Sequence, residues 1–257
     1  MLETLLAAIA GLIGGFVSTP ASSNGSSVTL PALELLGLPE HTANGTNRLS
    51  VVALGLMGTV GFYREGLVDW RRGGRIAVLV ALGTAVGSLI AVEFSEDLLD
   101  AIVVAGLLLV LGMLIVRPGR WLEGKERRLR SVNWGQAAAY FAIGVYAGLV
   151  VLGSGFFLLA ALVLLTGCDL RQGNAMKAFI LLIVGLQSLL IFSEARDVDW
   201  TAGVPLALGS AVGAYVAARL ATKDWARVWV YRFLVLSVVL AILHLLVVDS
   251  GRYLQHT

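Results

Sequence analysis

A run of small, mostly polar residues, Ser18–Ser27, interrupts a stretch that is otherwise apolar enough for a membrane interior. Within it Ser22, Ser23, Asn24, Gly25 and Ser26 bring hydroxyl and amide donors to a chain opened by Pro20 and Gly25. A second, shorter break, Gly153, Ser154 and Gly155, lies far along the chain between two more apolar runs. A backbone opened inside a bilayer leaves N–H and C=O groups that only protein or a wet cavity can satisfy. The short helix expected after each break starts with free N–H groups, at Gly25–Ser26–Ser27 and at Gly155–Phe156–Phe157. Such a helix start, with its partial positive charge, is a ready site for an anion. Ordinary capping, in which Asn24 or Ser154 satisfies only its own helix, is the competing reading.

The next apolar segments open on Asn44-Gly45-Thr46-Asn47-Arg48 and Asn174-Ala175-Met176-Lys177-Ala178. A Lys facing the interior of a membrane bundle is a functional candidate. Lys177 with Asn47, one turn beyond Asn174 and Asn44, would complete an anion site. Alternatively Arg48 and Lys177, each near a helix end, reach out to headgroups. Glu34 pairs with Arg48 or carries a coupling proton, pairing being favoured. Gln187 lines a cavity or bonds a neighbouring helix. His41, His244 and His256 have no metal-ligand spacing. No nucleophile–base set or nucleotide loop appears, so the expectation is no enzyme, no cofactor and no metal.

Long apolar elements must position these residues. Of 257 residues, 58% are hydrophobic and 14% charged, with a mean hydropathy of +0.85. Soluble domains are nearer 45–50% apolar and about 25% charged, so the chain reads as an all-α polytopic membrane protein. Measured against the ~20 residues that cross a bilayer, helices are expected at Leu2–Ser18, Thr42–Tyr63, Gly73–Val92, Asp97–Val116, Trp134–Val151, Asn174–Phe192, Thr201–Leu220 and Trp225–Val248. The short segments Ser26–Leu36 and Phe156–Thr166 make less than ~20 Å of helix at 1.5 Å per residue. A re-entrant hairpin fits each better than a crossing. Met1–Val17 lacks the basic start of a signal peptide and reads as a retained first membrane helix. The lone Cys168 cannot form an intrachain disulfide and is expected to be a small packing residue.

The pattern repeats. A shift of 130 residues aligns 12–70 with 142–200 without a gap, matching Gly25 to Gly155, Gly37 to Gly167, Asn44 to Asn174, Phe62 to Phe192 and Val68-Asp69-Trp70 to Val198-Asp199-Trp200. Basic loops at Arg64–Arg75, Arg117–Arg130 and Arg219–Arg227 are expected in the cytoplasm. The acidic stretch Glu93–Asp100 and the stretch Glu194–Trp200 are expected outside. Equivalent Val-Asp-Trp triplets then lie on opposite sides. The expected architecture is two inverted repeats, each a re-entrant or broken helical hairpin plus three membrane helices. The first spans 1–116, a basic linker 117–133, the second 134–248 and a polar, frayed tail 249–257. Paired broken helices in inverted repeats suit a secondary transporter working by alternating access.

These motifs together resemble the TauE/SafE family of sulfite and organosulfonate exporters, over nearly the whole chain. The resemblance rests on the broken first helix with Pro31, on Ala43-Asn44-Gly45-Thr46-Asn47, which looks like the family's Ala-x-x-Thr-Asn signature, and on Gly144-Val145-Tyr146-Ala147-Gly148 leading through Gly153-Ser154-Gly155 into Asn174-Ala175-Met176-Lys177. The first break is poorer in glycine than is common in the family, and Met176 stands where Thr is usual. The resemblance implies a multi-pass inner-membrane permease that exports sulfite, sulfoacetate or a related organosulfonate or carboxylate. Coupling to protons and a passive anion channel both stay open at this level. The expected partners are the small anion, the lipid bilayer and a second copy in a homodimer. Nucleic acid is not among them, because the basic residues sit in short loops beside apolar spans.

Overall fold

The computed structural model describes residues 2–21, 26–90, 105–109, 111–112, 114–115, 119, 121, 133–149, 154–194, 196–223 and 225–255. The expected break residues Ser22, Ser23, Asn24, Gly25 and Gly153, the first part of the expected helix 97–116 and most of the central linker lie outside them. Among the described residues all regular structure is helical: α1 Leu2–Ala21, α2 Ser26–Leu35, α3 Glu40–Tyr63, α4 Trp70–Ile90, α5 Trp134–Leu149, α6 Ser154–Leu164, α7 Leu170–Glu194, α8 Trp200–Ala221 and α9 Ala226–Gln255. Helical pieces within 105–121 bury Leu107, Leu114 and Trp121 against α6 and α9. By length and composition Leu2–Pro20, α4, α7 and α8 can each cross a membrane.

Polar residues cap several helices, and at α7 the cap starts the helix ahead of its apolar run. Asp169 accepts from the Gln172 amide at 2.7 Å while Gln172 accepts from the Asp169 amide, so α7 starts at Leu170 and not at Asn174. Asn133 and Gln136 make the same reciprocal box at the start of α5. Asp199 caps α8 through the Thr201 and Ala202 amides. Asn44 and Asn174 therefore sit in the second turns of α3 and α7, where their own N–H groups are already used. At the far end α9 runs on to Gln255, so residues 249–255 of the tail expected to fray are helical.

The 130-residue correspondence extends to individual hydrogen bonds. Gly73 to Asp69 recurs as Gly203 to Asp199, Ala43 to Pro39 as Gly173 to Asp169, and Leu67 to Phe62 as Asp197 to Phe192. The last pair closes α3 and α7 with the same left-handed turn, at Gly66 (φ 71°) and Arg196 (φ 61°). Arg carries a Cβ that disfavours this conformation, yet it keeps the turn of its glycine counterpart. Trp70 and Trp200 open α4 and α8 half-exposed, the place for interfacial anchors.

Helix directions follow from which residues meet. Gly209 and Gly213 of α8 lie against Ala8–Leu12 and Leu12–Phe16 of α1, so the two run parallel. A Cβ on Gly209 would stand 2.0 Å from the Ala8 carbonyl oxygen, and one on Gly11 2.0 Å from that of Leu206. The backbones touch through Gly-x-x-x-Gly on both helices. The arrangement recurs where Gly83 and Gly87 of α4 lock against Gly144 and Gly148 of α5. Each half thus lends its fourth helix to the broken first helix of the other. Helix α3 also runs parallel to α8, from Thr46–Asp199 through Ser50–Ser210 to Gly61–Ala218. Against α7 the order reverses, Gly55 meeting Leu182 while Gly185 meets Val51 and Val52. The repeat-equivalent helices α3 and α7 are antiparallel.

Polar contacts sort the loops. Arg219–Glu65 (3.2 Å) and Arg64 to Tyr215 (2.9 Å) gather the basic loops after α3 and α8 at one end, while His41–Asp197 (3.1 Å) joins the start of α3 to the loop after α7 at the other.

Candidate functional site

Both halves place polar side chains seven residues into the third helix, about 10 Å along it. In the first half Asn47 is buried between two hydroxyls of α2. It accepts from Thr29 at 2.6 Å and donates to Ser26 at 3.1 Å. The short helix α2 therefore begins inside the bundle. Helix α2 is stitched to α3 from within.

The equivalent position in the second half is Lys177, only 2% exposed, so it does not reach out to headgroups. Its Nζ donates to the Thr19 carbonyl at 2.8 Å, the Ser18 carbonyl at 3.4 Å and Asn174 Oδ1 at 2.9 Å. Three oxygens suit the three donors of an ammonium. Thr19 and Ser18 lie in the last turn of α1, where carbonyls lack intrahelical partners and the helix end is partly negative. A residue of the second half thus holds the broken end of the first. Ser18 and Thr19 also bond back to the carbonyls of Gly14 and Gly15.

Asn174 orients Lys177 at i+3, and its equivalent Asn44 accepts from Arg48 Nη2 at 2.9 Å at i+4. The cation has moved by one position, about 100° around the helix, and so faces different surroundings. The Arg48 guanidinium lies 5.1 Å from the centroid of Phe192, and its Nε is shut off from solvent without a hydrogen-bond partner among the described residues. Arg48 lines a cavity between α3, α4, α5, α6 and α7, together with Thr84, Ser154, Ser188 and apolar walls such as Leu158 and Val184. Ser154 and Gly155 are in the first turn of α6 and buried, and Ser154 lines this space.

The structure thus divides the expected residues. Ser26 joins Asn47, Asn174 joins Lys177, and Asn44 joins Arg48; Ser154 shares the cavity with Arg48. Asn47 and Lys177 do not contact one another by any hydrogen bond among the described residues. Glu34 is exposed on α2 and is not the partner of Arg48, which Asn44 and Phe192 hold instead. Gln187 is half-buried outside the cavity, and its neighbour Ser188 lines it. Cys168 is buried with its sulfur 3.6 Å from that of Met176, a packing position. Sequence reasoning missed Thr29, Thr84, Ser188 and the bonded pair Ser50–Ser210 (2.7 Å). Single hydroxyls in apolar helices are common, and only their shared position across helices marks them.

The sequence profile described as "Sulfite exporter TauE/SafE" matches residues 7–245. The chain is 26% identical over 234 residues to the "Probable membrane transporter protein ORF9" of Sinorhizobium sp, covering 91% of this chain and 89% of that protein. It is 27% identical over 211 residues to a "Probable membrane transporter protein" of Haemophilus influenzae, covering 82% of each. It is 26% identical over 227 residues to the "Probable membrane transporter protein YdhB" of Bacillus subtilis, covering 85% of this chain and 89% of that one.

Proposed function

The chain belongs to the TauE/SafE family and is a membrane transporter, and from that premise we propose that it exports a small anion across the cytoplasmic membrane by alternating access. The substrate is sulfite or a short organosulfonate or carboxylate such as sulfoacetate, and inward proton movement drives it. The observation that carries the anion reading is the sign of charge beside the breaks. Arg48 lines the cavity, whereas no carboxylate lies among the described residues lining it. A desolvated cation is costly unless an opposite charge or several acceptors compensate it.

The alternating-access reading draws on the antiparallel pair α3 and α7 and the exchanged contacts of α1 with α8 and α5 with α4. A two-fold axis in the membrane plane relates two such halves. Rocking one hairpin set against the other then opens the site to each side in turn. The direction of every helix whose register is known agrees with the orientation given by the basic loops.

Flux in vesicles tests the function. With the purified protein reconstituted, sulfite or sulfoacetate should accumulate against its gradient when a proton gradient is imposed. Movement only down the anion's own gradient would make the protein a channel; no flux of any such anion would remove the anion reading. The topology has its own test. Both termini should face outward, so cysteines placed at Glu3 and at Gln255, in a Cys168→Ala background, should react with an impermeant thiol reagent in intact cells. Labelling only after permeabilisation would refute the inverted arrangement.

A further inference from the structure

We propose that the cavity between α3 and α6 is a binding site for one small oxyanion, with Arg48 as its charge partner, and that Lys177 is a structural tie and not the anion's ligand. This deepens the anion-transport reading and rests on it. Lys177 already has Thr19, Ser18 and Asn174 around its Nζ. Arg48 is different: Asn44 holds Nη2 and Phe192 covers its face, while the buried Nε has no partner among the described residues. A charged donor left unpaired away from water is unfavourable, and an anion in the adjoining cavity removes that cost. The side edge of a guanidinium, Nε with one Nη, matches two oxygens of a sulfonate or carboxylate.

The other walls suit the same ligand. Ser154, in the first turn of α6, lines the same cavity. The Thr84 hydroxyl is committed to the Val80 carbonyl at 2.8 Å and turns only lone pairs outward, so it adds no donor. Ser188 makes no hydrogen bond among the described residues and is available. Leu158 and Val184 supply apolar wall for a short carbon body. The ligand class is therefore an oxyanion head on a body of at most a few carbons.

Sulfoacetate binding to the purified full-length protein, measured by calorimetry, tests this. Arg48→Gln should weaken it about 10- to 100-fold, from the strength of a charge-assisted hydrogen bond, and Arg48→Lys should recover part of the loss. A second measurement does not depend on removing Arg48. In a Cys168→Ala background, Ser188→Cys should be modified by a methanethiosulfonate reagent, and saturating sulfoacetate should slow that reaction at least about fivefold. If the parent binds sulfoacetate while Arg48→Gln binds as tightly and Ser188→Cys is unprotected, the site is overturned and the transport reading stands. If the parent binds and moves no anion of this class, the transport reading fails and the site with it.

Discussion

Lys177→Met should lose transport by about 30-fold or more and lower the thermal midpoint in detergent by several degrees, although it exchanges one long side chain for another. Methionine fills the space but leaves the Thr19 and Ser18 carbonyls and Asn174 Oδ1 without the donor they share. Hydrogen bonds from a charged donor contribute roughly 1.5–3 kcal/mol each in soluble proteins, and polar contacts inside membranes average nearer 0.6 kcal/mol. Three together still amount to about 2 kcal/mol or more. The functional loss should exceed the stability loss, because the tie joins α7 to the end of α1, two parts that move as coupled bodies in the alternating access proposed above. Asn47→Ala, which unfastens α2 from α3 within one half, should be milder. Lys177→Arg should retain part of the activity, since its guanidinium can reach the same carbonyls. Flux within twofold of the parent in Lys177→Met, with an unchanged midpoint, would show that the tie has no such role.

The second large effect concerns packing. Gly213→Ala and Gly83→Ala should each sharply reduce the yield of folded protein, whereas Gly74→Ala should be neutral or slightly stabilising. A methyl on Gly213 would stand 2.1 Å from the Leu12 carbonyl oxygen, and one on Gly83 2.2 Å from that of Phe141. Rigid backbone is what each meets, so α8 must part from α1, or α4 from α5, along the whole contact. Overpacking a tight core costs about 1–3 kcal/mol and sometimes more, and these contacts join the two halves. Nothing lies within 4 Å of the position a methyl would take on Gly74, and there Ala gains about 0.5–1 kcal/mol of helix propensity. Monodispersity after size exclusion, read alongside the thermal midpoint, measures all three. Equal behaviour of Gly213→Ala and Gly74→Ala would mean that the close approach of α1 and α8 is not needed for folding.

The chain's local rules were legible in advance. Long apolar runs call for helices because a bilayer leaves no other way to satisfy the backbone, and α4, α7 and α8 lie within a few residues of where hydropathy puts them. Corresponding positions share local geometry: Gly37 and Gly167 both take positive φ, at 88° and 78°, and the Asp of each Val-Asp-Trp triplet accepts from the first turn of α4 or α8. Starts were misplaced where a cap precedes the apolar run. At α7 the signal, Asp169 with Gln172, was present in the sequence and outranked by hydropathy.

What the sequence by itself determined is the helical kind of the described elements and the polar composition of the breaks, because these depend on neighbours along the chain. Which helix receives which was decided only in three dimensions. Gly209, Gly213, Gly11 and Gly15 are indistinguishable from other glycines until α8 is set against α1. The same holds for the two cations. Arg48 and Lys177 look like equivalent basic residues near helix starts, each beside an Asn one turn earlier. A one-residue offset turns them by about 100° on their helices. It sends Lys177 to the carbonyl end of α1 and leaves Arg48 at a cavity with an unpaired Nε. Their roles differ because burial and partners belong to the packed bundle, and no periodicity along one chain encodes them.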